Sequence, residues 1–228
     1  MKPIKLLSLF SGIGAFERAL TLAEVPYELV AYCEIDKFAS KSYSLLHNVP
    51  DSMNLGDITK VDIQSLPKNI DMIVHGSPCQ SFSICGKGEG GEKGAGTQSS
   101  LLWYTVDIVK AKLPKIVLWE NVPNILSKKH FPVFQSYLDE LEGLGYKNFY
   151  KTLNAKDYGI PQSRKRVFTI SVLQSLGVND FIFPSPQELT VKLKDILDRD
   201  VSEKYYLTEK MIDYWKKHNE RERERERK

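Results

Sequence analysis

Three clusters of residues in this 228-residue chain are able to carry chemistry. The first is Gly76-Ser77-Pro78-Cys79-Gln80-Ser81-Phe82-Ser83, where a cysteine follows a proline just beyond an apolar run. Cysteine attacks as its thiolate, and the carboxyl end of a strand in an open α/β sheet is where ligands bind. A buried cysteine also packs as an inert small hydrophobe, so Cys79 alone leaves both readings open. The second cluster is Ile116-Val117-Leu118-Trp119-Glu120-Asn121-Val122, an apolar run ending in a carboxylate. An acid at the mouth of a buried strand is costly unless paired or used. Apolar surroundings favour its protonated form, which suits a proton donor or a hydrogen-bond partner for a base. The third is Gln162-Ser163-Arg164-Lys165-Arg166, in which Arg164 and Arg166 share one face of a strand. These guanidinium groups either hold a carboxylate and a phosphate or form a solvated basic edge.

A fourth segment points to a cofactor. Phe10-Ser11-Gly12-Ile13-Gly14-Ala15-Phe16-Glu17 forms a strand-to-helix turn whose glycines let the backbone approach a ligand. Glu34, twenty residues beyond Gly14, closes the next strand, where a carboxylate accepts hydrogen bonds from ribose hydroxyls. The pair points to an adenosine-containing cofactor without separating NAD from S-adenosylmethionine.

The elements that must position these clusters follow from alternating apolar runs and amphipathic stretches, which predict βα units and a parallel sheet. Strands are expected at Ile4–Phe10, Glu28–Glu34, Ile70–His75 and Ile116–Glu120, with helices at Gly14–Ala23, Lys37–Leu46, Ser99–Lys112 and Phe131–Leu144. Two further strands near Phe149–Asn154 and Arg166–Val172 are close enough to pair as a hairpin, giving the sheet an antiparallel edge. Between Cys79 and Ser99 the pattern breaks. Six glycines from Gly86 to Gly96 exclude a persistent helix or strand and predict a lid over the site. After Val172, Phe181-Ile182-Phe183-Pro184-Ser185-Pro186 reads as an extended connector. Thr208 is placed to cap a last helix with Met211, Ile212 and Trp215 on one face. The strict Glu/Arg alternation from Glu220 to Arg227 sets i,i+3 attraction against i,i+4 repulsion, which predicts a solvated, poorly ordered tail.

Bulk properties narrow the class. A chain that is 42% hydrophobic and 27% charged fits one large α/β domain, with at most a short appendage. The formal charge of +3 permits a phosphate-rich partner without demanding one. Cys33, Cys79 and Cys85 are odd in number and lack metal-ligand spacing, so neither a disulfide framework nor a metal site is expected. No apolar stretch is long enough to cross a bilayer, and Met1–Leu6 does not open a signal peptide, so a cytoplasmic protein is expected.

Taken together and in order, these segments resemble the DNA cytosine-C5 methyltransferases of bacteria and phages. The resemblance rests on Phe10–Glu17, Glu34, Gly56-Asp57-Ile58, Pro78-Cys79-Gln80, Glu120-Asn121-Val122, Asn154–Pro161 and Gln162–Arg166, covering about residues 4 to 173. It implies a Rossmann-like, S-adenosylmethionine-dependent methyltransferase fold, α/β and mostly parallel, with an antiparallel terminal hairpin. Residues 1–173 would be the catalytic, cofactor-binding domain, and 174–228 a connector or hinge. By the same resemblance Phe10, Ser11, Gly12, Ile13, Gly14, Ile58 and Pro78 shape the cofactor pocket, and Glu34 binds the ribose. Ile35 would pack on the adenine and Asp57 would contact its amino group. Cys79 corresponds to the nucleophile and Glu120 to the residue that holds the cytosine N3 edge. Arg164 and Arg166 would support the active site. The implied reaction methylates C5 of a cytosine flipped out of double-stranded DNA, through a covalent Cys79 adduct, leaving S-adenosylhomocysteine.

Two departures qualify the resemblance. Gln98 stands where these enzymes usually carry arginine, and its amide supplies neither the charge nor the forked donors of a guanidinium. Weakened loop or phosphate contacts are therefore expected. Nothing after Val172 matches the target-recognition domain or the segment that closes the cofactor pocket. This admits a split enzyme with a second subunit, a truncated form, or an inactive cofactor-binding subunit. A tRNA cytosine methyltransferase is disfavoured by the lack of a Cys-Phe-Thr segment. A dehydrogenase would leave Cys79 and Glu120 unexplained.

Overall fold

The computed structural model describes residues 2–78 and 98–226, so the expectations placed on Cys79, Gln80, the glycine-rich lid and Arg227 lie outside the described residues. Six strands form one sheet: β1 (Ile4–Leu9), β2 (Tyr27–Cys33), β3 (Met72–His75), β4 (Ile116–Asn121), β5 (Tyr146–Asn154) and β6 (Lys165–Leu173), in the order β2-β1-β3-β4-β6-β5. The first four are mutually parallel, whereas β6 runs antiparallel to both β4 and β5. The mixed sheet with its antiparallel terminal hairpin is the expected α/β architecture. The strands read from alternating apolar runs begin and end within a residue or two of expectation, except that β5 starts at Tyr146 rather than Phe149. Lys147 and Asn148 disguised its start, because an edge strand exposes polar side chains.

Helices α1 (Ala15–Leu22), α2 (Lys37–His47), α3 (Leu102–Lys112) and α4 (Phe131–Gly143) connect the strands. The helix expected from Ser99 opens as a short 3₁₀ turn over Gln98–Leu101 and becomes α-helical only at Leu102. Asp36 caps α2 by accepting from the Phe38 and Ala39 amides at 2.9 and 2.8 Å. The core lies under the sheet where Leu7, Leu9, Ile73, Val117 and Trp119 meet Val106, Val109, Phe134 and Tyr137 of α3 and α4.

Beyond Leu173 the chain is extended and largely exposed. It touches the sheet where Phe149 meets Phe181, and the turn after β5 where the Gln187 amide donates to the Asp157 carbonyl at 2.7 Å. A last helix, α5 (Glu209–Glu226), starts with the Thr208 hydroxyl accepting from the Met211 amide at 3.4 Å. The tail expected to be poorly ordered is corrected here, because α5 continues to Glu226. Glu and Arg are both good helix formers. Met211, Ile212 and Trp215 are exposed, and no described helix is long and apolar enough to cross a membrane.

Candidate functional site

The carboxyl ends of β1 to β4 build the site from two walls. The first is organised around Glu34, just past β2. Its Oε2 accepts from the Gly12 amide and its Oε1 from the Asp36 amide, each at 2.8 Å. Both oxygens keep a further lone pair for a ligand hydroxyl. Gly12 adopts a left-handed backbone (φ 56°), which a side chain would strain, and this turns its amide onto the carboxylate. Gly14 is also left-handed, and a Cβ there would collide with the His47 ring. Phe10 is left-handed as well (φ 53°), although it has a side chain. Such strain in a non-glycine residue collects at ligand sites, and its turn lies directly beside Glu34.

A cavity of about 390 Å³ opens against this wall. Phe10, Glu34, Ile35, Asp57, Ile58 and Pro78 line it, so the structure brings six of the ten expected cofactor residues together. The other four lie outside the lining. The Ser11 hydroxyl donates to the Ser8 and Cys33 carbonyls, Gly12 holds Glu34, Ile13 is 55% exposed, and Gly14 seats His47. Cys33, Gly56, Gly76 and Leu101 complete the lining; Gly56 and Gly76 belong to motifs read from the sequence, but none of the four was among the expected cofactor residues. The volume suits a small organic ligand. Asp57 Oδ1 accepts from both the amide and hydroxyl of Thr59, which holds its carboxyl below the usual carboxylate range. Cys33 is a donor: its Sγ lies 3.0 Å from the Gly56 carbonyl oxygen. Burial, with Glu34 and Asp57 nearby, pushes its thiol up to about 12, so it is no nucleophile at neutral pH.

The second wall is organised around Glu120 on β4. Arg166 Nε reaches its Oε1 at 2.8 Å and Arg164 approaches the same oxygen at 3.9 Å. The register explains this convergence. Glu120 pairs with Phe168 across the β4–β6 ladder, so Arg166, two residues along, lies diagonally opposite on the same face. Arg164 immediately precedes β6 rather than lying within it, yet it keeps that face. The expectation of apolar surroundings for Glu120 is corrected: the side chain is 25% exposed and paired with both arginines. Its Oε2 faces Gly76, lying 3.7 Å from the position a Cβ would take there.

The turn after β3 is tied to β4. His75 pairs with Trp119 across the ladder, the Trp119 Nε1–H donates to the Ser77 hydroxyl at 3.0 Å, and the Asn121 side-chain amide donates to the Ser77 carbonyl at 3.5 Å. The strand that carries Glu120 therefore also fixes Ser77, two residues before Cys79. His75 itself is fully buried, stacked on Trp119, and near the Tyr137 hydroxyl at 3.2 Å. Burial holds its imidazole down to about 3. Among the described residues no three His, Cys, Asp or Glu side chains gather as metal ligands.

Two carboxylates thus stand at the carboxyl ends of β2 and β4, with β1 and β3 between them, one held by backbone amides and one steadied by cations. Comparison with known proteins gives this geometry a family. The model of the C-5 cytosine-specific DNA methylases matches residues 4–228. The orphan methyltransferase M.Rho11sI of Bacillus phage rho11s is 36% identical, over 92% of this chain and 46% of its own length. The type II methyltransferase M2.ScrFI of Lactococcus lactis subsp. cremoris is 34% identical, over 92% of this chain and 71% of its own. A crystal structure of a Spodoptera frugiperda DNMT2 mutant superposes with a TM-score of 0.72 at 26% identity, covering 93% of this chain and 65% of that one. This chain spans about half the length of the phage relatives, 46% of one and 53% of another. By its family model and by its likeness to M2.ScrFI, the chain belongs to the C-5 cytosine-specific DNA methylases.

Proposed function

We propose that this chain methylates carbon 5 of a cytosine flipped out of double-stranded DNA, through a covalent adduct on Cys79. The observation that carries the reading is the pair of walls. Glu34, held by two backbone amides, lines a cavity together with Gly76, and Glu120 Oε2 lies 3.7 Å from the position a Cβ would take on that same Gly76. Cys79 follows Gly76 by three residues, so covalent geometry alone keeps their Cα atoms within about 11 Å.

The first wall fits S-adenosylmethionine. Glu34 would hold the ribose hydroxyls, Asp57 the adenine amino group and Ile35 the adenine face, while Phe10, Ile58 and Pro78 close the cavity. Once bound, the cofactor supplies an electrophilic methyl group. The chain's own residues prepare the acceptor. Cytosine C5 is a weak nucleophile until a thiolate adds to C6. The Cys79 sulfur forms that bond while Glu120 passes a proton to N3, and the ring electrons collect at C5. After C5 has been methylated its proton leaves to a base, the C6–sulfur bond breaks, and N3 returns its proton. Arg166 and Arg164 keep Glu120 aimed through these steps.

The same reading assigns residues 1–173 to catalysis and 174–228 to a connector, acting on DNA in the cytoplasm. One observation favours a second polypeptide beside it. Leu22 of α1 and Phe38, Leu45 and Leu46 of α2 are each at least 65% exposed, apolar side chains that a partner would cover. On that alternative the chain alone binds the cofactor without turnover. The test incubates the chain with methyl-labelled S-adenosylmethionine and mixed-sequence duplex DNA, then digests the DNA to nucleosides. Label in 5-methylcytosine supports the proposal. Label in another nucleoside contradicts it. Tight S-adenosylhomocysteine binding with no label in DNA selects the subunit alternative.

A further inference from the structure

We infer that Asn54 is a positioning residue for the nucleoside end of the cofactor site, an inference that rests on the S-adenosylmethionine reading above. Asn54 lies outside the cavity lining, on the turn behind it. Its Oδ1 accepts from the Glu34 amide at 3.0 Å and from the Gly56 amide at 2.9 Å. Its Nδ2 donates to the Glu34 carbonyl and to the Ser40 hydroxyl, each at 2.9 Å. Two acceptor positions and two donor hydrogens exhaust an amide side chain. The opposite orientation of the amide would set donor against donor at both backbone N–H groups, so the arrangement has one polarity.

The targets of these bonds give the inference its content. Both main-chain polar groups of Glu34 are held by one side chain, and the same side chain holds the amide of Gly56, next to Asp57. The Gly56 carbonyl is held separately by the Cys33 thiol. Glu34 and Asp57 are therefore clamped to one another before any ligand arrives, across a turn in which Gly56 is left-handed (φ 71°). Ser40 anchors the clamp from α2, and its hydroxyl also meets the Tyr32 hydroxyl at 3.1 Å inside the core. A carboxylate that must meet ribose hydroxyls and one that must meet an exocyclic amine lose affinity steeply when their spacing drifts, because binding then has to order them.

Asn54→Asp keeps both acceptor contacts and loses both donors, so the Glu34 carbonyl is left facing a carboxylate oxygen, while the Ser40 hydroxyl can turn to donate to it. Asn54→Ala releases all four partners. Ser40→Ala leaves the bonds to Glu34 and Gly56 in place. Affinities of the 228-residue chain for S-adenosylhomocysteine and for adenosine, measured by calorimetry, test the inference. Both Asn54 variants are expected to weaken the two ligands by the same factor, roughly ten- to a hundredfold, because only the nucleoside end is disturbed. Ser40→Ala should change them by no more than roughly threefold. A lowered melting temperature without any change in affinity would mean that Asn54 is merely structural and would overturn the inference. If the wild type binds neither ligand, the cofactor reading fails and takes this inference with it. If the wild type binds and both variants bind as tightly, the inference fails alone. Amide exchange on ligand-free wild type supplies a check that needs no variant: the Glu34 and Gly56 amides should already be protected, and fast exchange at either would contradict preorganisation.

Discussion

Glu34 and Glu120 stand at the ends of β2 and β4, with β1 and β3 between them, and they are held by opposite means. Glu34 is gripped by main-chain amides, those of Gly12 and Asp36, with no cation in contact among the described residues. Glu120 is gripped by two side chains, Arg166 and Arg164, delivered from the antiparallel strand. The difference teaches what each wall is for. Backbone amides leave the carboxylate oxygens with spare acceptor capacity at fixed positions, which suits neutral ligand hydroxyls. Guanidinium groups steady a carboxylate whose surroundings must accommodate changing charge on a base. The turn before Cys79 couples the walls, because Gly76 lies against Glu120 Oε2 while also lining the cavity.

Breaking one wall should leave the other standing. Arg166→Ala removes a 2.8 Å charge-assisted bond from a largely buried pair and should lower the methylation rate by about thirtyfold, or ~2 kcal/mol. Arg164→Ala removes a contact at 3.9 Å from a side chain that is 50% exposed, where about twofold is expected. Neither should alter S-adenosylhomocysteine affinity by more than about twofold. Equal rate losses would show that the two arginines are not ranked by their geometry. A large affinity loss would show that the walls are not separable.

A smaller effect concerns the floor shared by both walls. His75 is fully buried and its imidazole is held down to about 3, against an ordinary value of 6.5. The unfolded chain therefore binds a proton that the folded chain refuses between those values. Stability is intact above about pH 6.5 and falls as the pH drops toward 3, by at most ~1.4 kcal/mol per pH unit. Melting temperatures from pH 7 to pH 5 should decline in the wild type and decline less in His75→Phe. Matching slopes would remove His75 as the cause.

Much of this was legible in the sequence, and the exceptions share a cause. The strands and helices announce themselves locally, through apolar runs, glycines and the Thr208 cap. That Arg164 and Arg166 share a face follows from strand periodicity alone. That the face belongs to Glu120 does not, since it depends on the β4–β6 register between segments more than forty residues apart. The arginine pairing of Glu120, the burial of His75 and the clamp made by Asn54 are all long-range contacts of this kind. Asn54 reads as an ordinary turn residue until the chain on both sides of it is in place. The left-handed Phe10 carries no sequence signal at all, because phenylalanine does not usually adopt that backbone.

The central claim is that Cys79 adds to a cytosine presented to Glu120. A pool of duplex oligonucleotides carrying 5-fluorocytosine in varied contexts, incubated with the chain and S-adenosylmethionine, tests it by intact-mass spectrometry. Fluorine at C5 cannot leave as a proton does, so the adduct should persist as a stable protein–DNA species with the linkage mapped to Cys79, and Cys79→Ser should form none. A chain that methylates DNA without forming this adduct, or a Cys79→Ser variant trapped as readily as the wild type, would contradict the account.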